Sequence, residues 1–412
     1  MAPYAVAHLK LGLELAQTGY DFGSNERLGI YLTNTLEEEF EVGKILFSDW
    51  LVKEATAAGN IKYDAPVMVV LGNPPYSGHS VNSSWVETKD GKKVPTFIGK
   101  LVQDYYKVDG KPLGERNPKW LQDDYVKFIR FAQWRIERTG YGILAFITNH
   151  GYLDNPTFRG MRQSLMQSFD DIFVLDLHGN SKKKERSPDG TKDENVFDIQ
   201  QGVAIGIFVK RQKSIDTHIA KVHHAHLWGP RKVYEKLSRE LNLIGGKYHW
   251  LAENDLSTTE WTTLNPQPPF YLFVPQDDDL LTEYERGWKV TEVMPVNVLG
   301  FQTHRDYFAI DFDRSNLQKR FSEMRDTGIP DQEYAGRYNL TESSSWQMTK
   351  ARRLIRNDPL WQTHIIRCLY RPFDWRYCFF DEVAVDRPRP ELRQHMLQPN
   401  ISLNVTRQTK AD

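Results

Sequence analysis

The chain has 412 residues, of which 40% are hydrophobic and 26% are charged, and its formal net charge is −1. This composition excludes a disordered protein, and no apolar run is long enough for a membrane-spanning helix. The length predicts two domains. Because the only cysteines are Cys368 and Cys378 and no secretory signal opens the sequence, we expect no disulfide framework and a cytoplasmic location.

The first predicted elements lead to a short motif at the end of a strand. Apolar side chains at helical spacing predict a helix over residues 3–19, and a short apolar segment predicts a strand over 28–33. The run VMVVLG at 67–72 is apolar throughout, which is typical of a strand in a parallel sheet covered on both faces. Asn73 follows at the carboxyl end of this strand. Residues 77–120 are rich in Gly, Ser, Lys and Tyr and predict a long mobile loop.

Helices and strands then alternate along the chain. The pattern predicts, in order, a helix over 121–138, a strand over 142–148, a helix over 157–168, and strands over 172–177 and 203–209. Such alternation indicates an α/β fold with a Rossmann-like, mostly parallel sheet. From about residue 213 the sequence changes to helices, Pro-rich loops and short aromatic strands such as 370–380, a mixed α+β pattern. We therefore place the predicted domains at 1–212 and 213–412.

The motif Asn73-Pro74-Pro75-Tyr76 offers the groups that chemistry on an exocyclic amine requires. In open α/β sheets, ligands bind beyond the carboxyl ends of the strands, which is the predicted position of this motif. An Asn side-chain oxygen and a backbone carbonyl accept the two amine hydrogens, and the prolines hold these acceptors in place. The ring of Tyr76 provides a face on which a flipped-out base stacks. The alternative is a simple turn, because Asn-Pro favours turn initiation.

Four segments of the chain resemble one family of enzymes. The motif resembles that of adenine-specific, amino-group DNA methyltransferases, and its surroundings look like the methyltransferase portion of Type ISP restriction–modification enzymes. Those are single polypeptides that combine nuclease, ATP-driven translocase, methyltransferase and target-recognition parts. The resemblance is highly specific over roughly the first half and continues more weakly to the end. The segments that carry it are MAPYAVAHLKL (1–11), VVLGNPPYSG (69–78), WLQDDYVKFIR (120–130) and TNHGYLDNPTFRG (148–160).

The resemblance implies an activity and its site residues. The chain would transfer a methyl group from S-adenosylmethionine to the exocyclic amino group of adenine in double-stranded DNA, with base flipping, within a restriction–modification system. Residues 73–76 would be catalytic, and Tyr76 and Phe197 would stack on the two sides of the flipped base. A plain core position is the alternative for Phe197. Residues 213–412 would begin the target-recognition region.

The resemblance assigns cofactor binding to Pro3, Asn34 and Leu36. In the resembled fold an acidic residue commonly meets the adenine of the cofactor at the position of Asn34, so this sequence departs from the pattern. No glycine-rich turn of the kind that approaches the cofactor precedes residue 72, and Met1 falls just after the position of the ribose-binding acid. We therefore expect a chain truncated at its N-terminus, with a sheet that lacks its first strands and exposes apolar edges.

Three interpretations of the activity are open. The chain is either a methyltransferase that receives cofactor residues from an upstream segment, on a longer or a separate polypeptide, or a catalytically inactive DNA-binding fragment of such an enzyme. An RNA or protein substrate for the same amine chemistry is the third interpretation, which residues 73–76 by themselves leave open.

Positive charge and histidine are unevenly distributed. From residue 351 to the end there are 11 Lys and Arg against 7 Asp and Glu, an excess that supports DNA contacts only alongside a catalytic motif. The run KKKER (182–186) either contacts DNA phosphate or forms a solvated loop. The segment HIAKVHHAH (218–226) contains closely spaced histidines, but no cysteine or carboxylate completes a ligand set, so we predict no metal site.

Two further groups of residues receive structural interpretations. The side chains of Asp123 and Asp124 are about 100° apart on a helix, which argues against paired acid–base chemistry. Trp134 and Trp375 are predicted to lie in the core rather than to form stacking platforms.

Overall fold

The chain forms two compact units, Met1–Gln276 and Asp277–Asp412. The structure, a computed structural model, describes every residue except 1, 22, 24–27, 38–48, 77, 79, 89, 116–117, 213–218, 238–239, 299, 301, 344, 388 and 405–412. No helix among the described residues has the length and apolar character needed to cross a membrane. Along the sequence, the boundary between the units follows Gln276 and not residue 212 as predicted. Strands beyond residue 212 join the sheet of the first unit.

Within the described residues, the first unit combines helices with a large sheet and short hairpins. Its helices are α1 (Ala2–Gln17), α2 (Asp49–Tyr63), α3 (Phe97–Val102), α4 (Asp124–Thr139), α5 (Arg159–Ser168) and α6 (Lys247–Glu253). Its strands are β1 (Val69–Gly72), β2 (Trp85–Glu87), β3 (Lys93–Pro95), β4 (Lys107–Val108), β5 (Lys111–Pro112), β6 (Gly142–Asn149), β7 (Asp171–His178), β8 (Val203–Lys210), β9 (Lys221–His226), β10 (Val233–Leu237), β11 (Glu240–Gly245) and β12 (Thr262–Leu264). The predicted helices α1, α4 and α5 and the predicted strands β1, β6, β7 and β8 are confirmed, with small differences at their ends.

The main sheet has six strands in the order β1-β6-β8-β7-β9-β12. β1, β6, β7 and β9 run in one direction, with parallel pairing between β1 and β6 and between β7 and β9. β8 and β12 run in the opposite direction. The α/β class is confirmed, but the sheet is mixed rather than mostly parallel in its pairing. Two neighbouring parallel strands must be joined by a crossover, which is usually a helix. Residues 179–202, which join β7 to β8, contain no helix, and these two strands pair antiparallel. A Rossmann-like methyltransferase sheet stays a prediction.

The core of the first unit lies on the face of the sheet that α4 and α5 cover. α4 places Tyr125, Ile129 and Ile136 on one side at helical spacing, and they are buried together with Leu144 of β6. Gly140 ends α4 in the left-handed conformation, φ 89°, which glycine adopts without steric cost. Burial of one such apolar side chain contributes about 1.5–3 kcal/mol, so this cluster fixes the strands whose ends carry the candidate site.

The predicted strand over residues 28–33 does not form. The backbone N–H of Leu32 donates instead to Glu54 Oε1 of α2 at 3.0 Å. A helix side chain therefore takes the hydrogen bond that a neighbouring strand would have accepted.

Residues 77–120, predicted as a long mobile loop, contain regular structure in their described part. The hairpins β2–β3 and β4–β5 and helix α3 lie within this stretch. Gly99 of α3 packs against the backbone of Ser84, where an added Cβ atom would come within 2.0 Å of the carbonyl oxygen. Glycine here serves close packing of the backbone, which composition alone did not distinguish from a loop.

β1 lies at one end of the sheet and, among the described residues, pairs with β6 alone. Its side chains Val69 and Leu71 are exposed, Leu71 by 74%. The predicted coverage of this strand on both faces is therefore wrong.

The second unit packs helices against a three-stranded antiparallel sheet in the order β13 (Ile310–Asp311), β15 (Asp374–Phe379) and β14 (Ile365–Arg371). The inner face of the sheet and the helices share a core that includes Phe308, Phe321, Tyr334 and Phe379. The predicted aromatic strand over 370–380 is a hairpin, because the chain turns between β14 and β15. The elements are helices α7 (Leu281–Tyr284), α8 (Val290–Val293), α9 (Asp306–Ala309), α10 (Arg314–Arg325), α11 (Asp331–Arg337), α12 (Met348–Asn357) and α13 (Pro390–Met396), and strands β13 (Ile310–Asp311), β14 (Ile365–Arg371) and β15 (Asp374–Phe379).

Candidate functional site

The motif Asn73-Pro74-Pro75-Tyr76 directly follows β1, at the edge of the sheet where the parallel strands end. Pro74 is buried, whereas Asn73 and Pro75 are exposed. Tyr76 is half-buried, and burial raises the pKa of its hydroxyl to about 12. The hydroxyl therefore stays protonated at neutral pH, and the ring offers an uncharged aromatic surface beside an accessible carboxamide.

Two buried carboxylates hold the segment that follows the motif. Asp123 Oδ2 accepts from the backbone N–H of Gly78 at 3.1 Å, and Asp124 Oδ1 accepts from the hydroxyl of Ser80 at 2.6 Å. Lys127, on the next turn of α4, donates to Ser80 Oγ at 2.7 Å. The two aspartates bind different parts of the loop, so they tie α4 to the motif and form no acid–base pair.

We expect Asp124→Ala to loosen this loop. The carboxylate accepts from Ser80, from the Val81 N–H at 3.3 Å and from Asn82 Nδ2 at 3.2 Å. Loss of hydrogen bonds to a buried charge should lower the free energy of unfolding by about 2–3 kcal/mol, measured by urea denaturation. Hydrogen exchange at the Val81 amide should rise in parallel. Asp90→Ala, in an exposed turn, is the control and should change stability by less than about 0.5 kcal/mol; equal losses in both variants would contradict this role.

The predicted cofactor residues lie partly against the same loop. Asn34 Nδ2 donates to Asn82 Oδ1 at 2.8 Å, and Asn34 Oδ1 accepts from the backbone N–H of Leu36 at 3.2 Å. Leu36 is 1% exposed and packs in a small apolar cluster. Pro3 belongs to α1, and its side chain lies outside the described residues. Asn34 therefore contacts the loop after the motif, and its carboxamide is hydrogen-bonded within the protein.

The two predicted stacking residues meet at one apolar cluster. Tyr76 and Phe197, both half-buried, pack against the cluster that includes Leu175, Leu177 and Val203. This cluster lies where the parallel strands end, on the face of the sheet opposite to the main core. Phe197 is thus a partly exposed residue at the edge of a cluster, and its stacking role stays a prediction.

Side chains fix the backbone around Phe197. Asn195 Oδ1 accepts from the Phe197 N–H at 2.8 Å, and Arg231 donates to the carbonyls of Asn195 at 2.7 Å and Phe197 at 2.8 Å. Lys247 of α6 forms a fully buried ion pair with Asp193 at 2.8 Å. These residues hold one wall of an open cleft of about 560 Å³, which Asp193, Asn195, Phe197 and Arg231 line.

A cluster of histidines and carboxylates, which the sequence pattern did not reveal, lies where β7 and β9 end. Asp176 of β7 is in register with His226 of β9, and ligand atoms of Asp176, His224 and His226 all lie within 4.8 Å of one another. His178 Nε2 is 2.8 Å from His226 Nδ1, and His150 Nδ1 is 3.1 Å from Asp176 Oδ1. The expectation that no carboxylate completes the histidine set is therefore corrected. The available signal was an acidic residue near the end of an otherwise apolar strand.

In the second unit, the hairpin β14–β15 presents arginine and aromatic side chains to solvent. Arg367, Leu369 and Arg371 are exposed on β14, and Leu369 lies opposite Trp375 of β15. The guanidinium of Arg367 lies 4.6 Å from the centroid of the Trp375 ring. Trp375 is 51% exposed, and Phe373 at the turn is 100% exposed. The predicted core position of Trp375 is therefore wrong, because only the opposite face of this sheet packs on the helices.

Two other sequence interpretations have simpler outcomes. Trp134 packs, half-buried, against Phe97 and Phe131, which confirms a core role for it. The lysines of the run at 182–186 are exposed, and Lys183 pairs with Asp154 at 3.3 Å. Exposure fits both interpretations of the run, a solvated loop and a contact with DNA phosphate.

The chain is thus a two-unit protein in which a mixed α/β sheet precedes a smaller α+β unit. Residues 292–412 of the smaller unit match the Type ISP C-terminal specificity domain. No curated protein matches the chain.

Three solved structures share the fold of the chain. The ATP-dependent Type ISP restriction-modification enzyme LlaBIII bound to DNA is 22% identical, with a TM-score of 0.50 over 87% of this chain and 23% of that chain. A DrdV–DNA complex is 21% identical, with a TM-score of 0.55 over 94% of this chain and 37% of that chain. A nuclease-deletion mutant of the Type ISP restriction-modification enzyme LlaGI, in complex with a DNA substrate mimic, is 19% identical. Its TM-score is 0.57 over 94% of this chain and 31% of that chain.

The coverage and identity of these matches determine which parts of the predicted resemblance are supported. The chain spans 23–37% of the length of those proteins, and identities of 19–22% show the fold alone. The predicted resemblance to Type ISP restriction–modification enzymes is confirmed for the specificity domain and for the fold. Adenine-specific methyl transfer stays a prediction.

Proposed function

We propose that this chain recognises double-stranded DNA as the specificity part of a restriction–modification enzyme. The specificity-domain match and the DNA in the three similar structures support this proposal. The observation that carries it is the outer face of β14–β15, where Arg367 and Trp375 are exposed side by side, with the guanidinium 4.6 Å from the centroid of the Trp375 ring. Guanidinium groups bind phosphate and guanine edges through their planar fork, and tryptophan offers a face for stacking on a base.

The dimensions of the hairpin suit the major groove. A two-stranded ribbon fits this groove, which is about 12 Å wide. Arg367 lies on the same face of β14 as Leu369, which is opposite Trp375, and the register of the hairpin shifts between Leu369 and Arg371. The carboxylate of Asp374, the acidic residue at the turn, is paired with Arg376 at 2.8 Å, so its negative charge is balanced. The hairpin therefore presents net positive charge to the DNA.

We expect Arg367→Ala and Trp375→Ala to weaken DNA binding. Each removes a contact to a base or phosphate that is worth about 1–3 kcal/mol, so the dissociation constant should rise about 5–150-fold. Fluorescence anisotropy with a labelled duplex, recovered by selection from a random pool with the full chain, measures this change. The slope of log K against log salt should also become less steep for Arg367→Ala.

Matched controls separate this surface from general loss of charge or aromatic area. Arg353→Ala removes an exposed arginine on α12, and Trp288→Ala removes a tryptophan that is 86% exposed outside the matched domain. Both controls should bind DNA nearly as well as the unmodified chain. Unchanged binding by the hairpin variants, or equal loss in the controls, would contradict the assignment of β14–β15 as the recognition surface.

A second proposal concerns the motif after β1: Asn73–Tyr76 hold the exocyclic amine of a flipped adenine for methylation. It is supported by the exposed carboxamide of Asn73 and by the placement of Tyr76 and Phe197 on one cluster where the strands end. The Asn73 oxygen would accept one amine hydrogen and a backbone carbonyl of the motif the other. Pro74, which is buried, fixes the backbone of the motif against the core. This arrangement would favour a pyramidal, more nucleophilic nitrogen.

Of the residues predicted for S-adenosylmethionine, Asn34 is partly engaged within the protein and Leu36 is buried. This cofactor supplies the methyl group in the chemistry under proposal. Both polar ends of the Asn34 carboxamide are bonded within the protein, and Leu36 is buried. Asn34 keeps one N–H and one lone pair beyond these bonds, whereas the Leu36 side chain offers no polar group. DNA recognition is therefore the function best supported for the chain alone, and methyl transfer is proposed only for an assembly that supplies the missing cofactor contacts.

A further inference from the structure

The cluster around Asp176 shares no residue with either proposed DNA site. Asp176 on β7 alternates with Leu175 and Leu177, whose side chains belong to the cluster that Phe197 borders, so its carboxylate lies on the other face of the sheet. His224 and His226 share that face on the neighbouring parallel strand β9. Neither DNA recognition nor amine chemistry uses these side chains.

His224 is the unusual member of this cluster. It is 1% exposed, and neither of its ring nitrogens has a hydrogen-bond partner among the described residues. A buried polar group without a partner costs about 1–3 kcal/mol, so a ring nitrogen left in this state needs an explanation. A neutral imidazole nitrogen with a free lone pair is the form of histidine that ligates metals.

Asp176 is oriented by its neighbours in the way that metal-binding carboxylates are. Its Oδ1 lies 3.1 Å from His150 Nδ1 and accepts from the backbone N–H of His178 at 2.9 Å. Outer contacts of this kind fix a ligand, and the second oxygen, Oδ2, has only the longer 3.6 Å approach of His178 Nδ1 among the contacts of the described residues. His226 is exposed, so it gives the cluster access to solvent.

The geometry points to a site for a divalent first-row transition ion, such as Zn²⁺, formed by Asp176, His224 and His226. Two imidazoles and one carboxylate are a ligand set that such ions accept, with further positions open to water. The three ligand atoms lie within 4.8 Å of one another. In a tetrahedral zinc site the separation is roughly 3.3 Å, so the three side chains would move closer together when they bind an ion.

A second group, His150, His178 and Glu185, has ligand atoms equally close together. Its atoms are already engaged, because His150 Nε2 lies 3.2 Å from Asn180 Nδ2 and Glu185 Oε2 accepts from the Asn180 N–H at 2.8 Å. These residues therefore act as the outer support of the site. His178 connects the two groups through its 2.8 Å contact with His226.

The test measures zinc binding by the full chain, prepared without a histidine tag and stripped with a chelator. Titration with ZnCl2 against a chromophoric chelator gives stoichiometry and affinity, and Co²⁺ in place of Zn²⁺ gives visible absorption that reports the coordination geometry. We expect one equivalent of zinc per chain. His224→Leu and His226→Ala should each weaken binding more than about 100-fold, beyond the 10–100-fold that loss of an outer contact costs.

His223→Ala is the matched control, because His223 lies on the same strand but faces the other side of the sheet, where it stacks on Phe173. It should bind zinc like the unmodified chain. Circular dichroism checks folding. If His224→Leu does not fold, His226→Ala still tests the site, because His226 is exposed and its substitution should not disturb the core. Absence of zinc binding, unchanged affinity in a folded His224→Leu or His226→Ala, or equal loss in His223→Ala would each overturn the site.

Discussion

Asn73→Ala is expected to abolish methyl transfer in any preparation of this chain that moves labelled methyl groups from S-adenosylmethionine to unmethylated DNA. Asn73 is exposed directly beyond β1, and its side-chain oxygen is the proposed acceptor for an amine hydrogen. Removal of one preorganised group at the reacting atoms costs about 10²–10³-fold in rate. DNA affinity should stay nearly unchanged, because the contacts that position the duplex are made elsewhere.

Two further variants test whether the effect is specific to the acceptor oxygen of Asn73. Asn73→Asp keeps acceptor oxygens at the same position and should retain part of the activity that Asn73→Ala loses. Asn265→Ala removes an exposed asparagine that also follows a strand of the same sheet, β12, which runs in the opposite direction, and it should leave transfer intact. Normal turnover by Asn73→Ala would contradict the catalytic assignment. Loss of transfer together with loss of DNA binding would indicate damage to the fold instead.

The elements with strong local patterns were predictable from the sequence. α4 has apolar side chains at helical spacing and a glycine at its end, and β6, β7 and β8 are continuous apolar runs. The direction of β8 was not predictable, since an apolar run reads the same in a parallel and an antiparallel strand. Residues 28–33 carried a strand-like pattern, but Glu54, distant in sequence, accepts the Leu32 hydrogen bond. Local pattern fails where a partner from another part of the chain decides the backbone pairing.

The candidate sites likewise divide into those that a local sequence pattern predicts and those that depend on distant partners. The motif at residues 73–76 was identifiable because its acceptors, rigid backbone and ring are consecutive. The metal site was not, because Asp176 and His226 become neighbours only through the parallel pairing of β7 and β9. Trp375 was assigned to the core because an aromatic strand reads the same whether one or both faces are covered. Composition identifies which side chains are present, and tertiary pairing decides which of them meet and which face water.

Lys247→Met is expected to cost about 3–5 kcal/mol of unfolding free energy, because it would leave the carboxylate of Asp193 buried without its counter-ion. Both side chains are fully buried, 0% exposed, and the ion pair is 2.8 Å long. The Lys247 ammonium also donates to the carbonyls of Leu177 at 2.7 Å and Glu194 at 2.6 Å. Burial lowers the pKa of Lys247, so the neighbouring carboxylate is what keeps the ammonium charged. The substitution therefore removes a charge and three acceptor contacts in one step.

A double-mutant cycle separates the ion pair from the loss of packing. Asp193→Asn keeps an acceptor for the backbone N–H of Gly229, which donates to Asp193 at 2.7 Å, and removes the charge. Combined with Lys247→Met, it should recover much of the stability that Lys247→Met alone loses, since neither charge is then buried alone. Lys192→Met removes an 82% exposed lysine near the same loop and should change stability by less than about 0.5 kcal/mol. Urea denaturation measures all four variants, and equal effects of Lys247→Met and Lys192→Met would contradict the role of the buried pair. Because Asp193 opens the segment that presents Phe197, hydrogen exchange at the Phe197 amide should rise with Lys247→Met and fall back in the double variant.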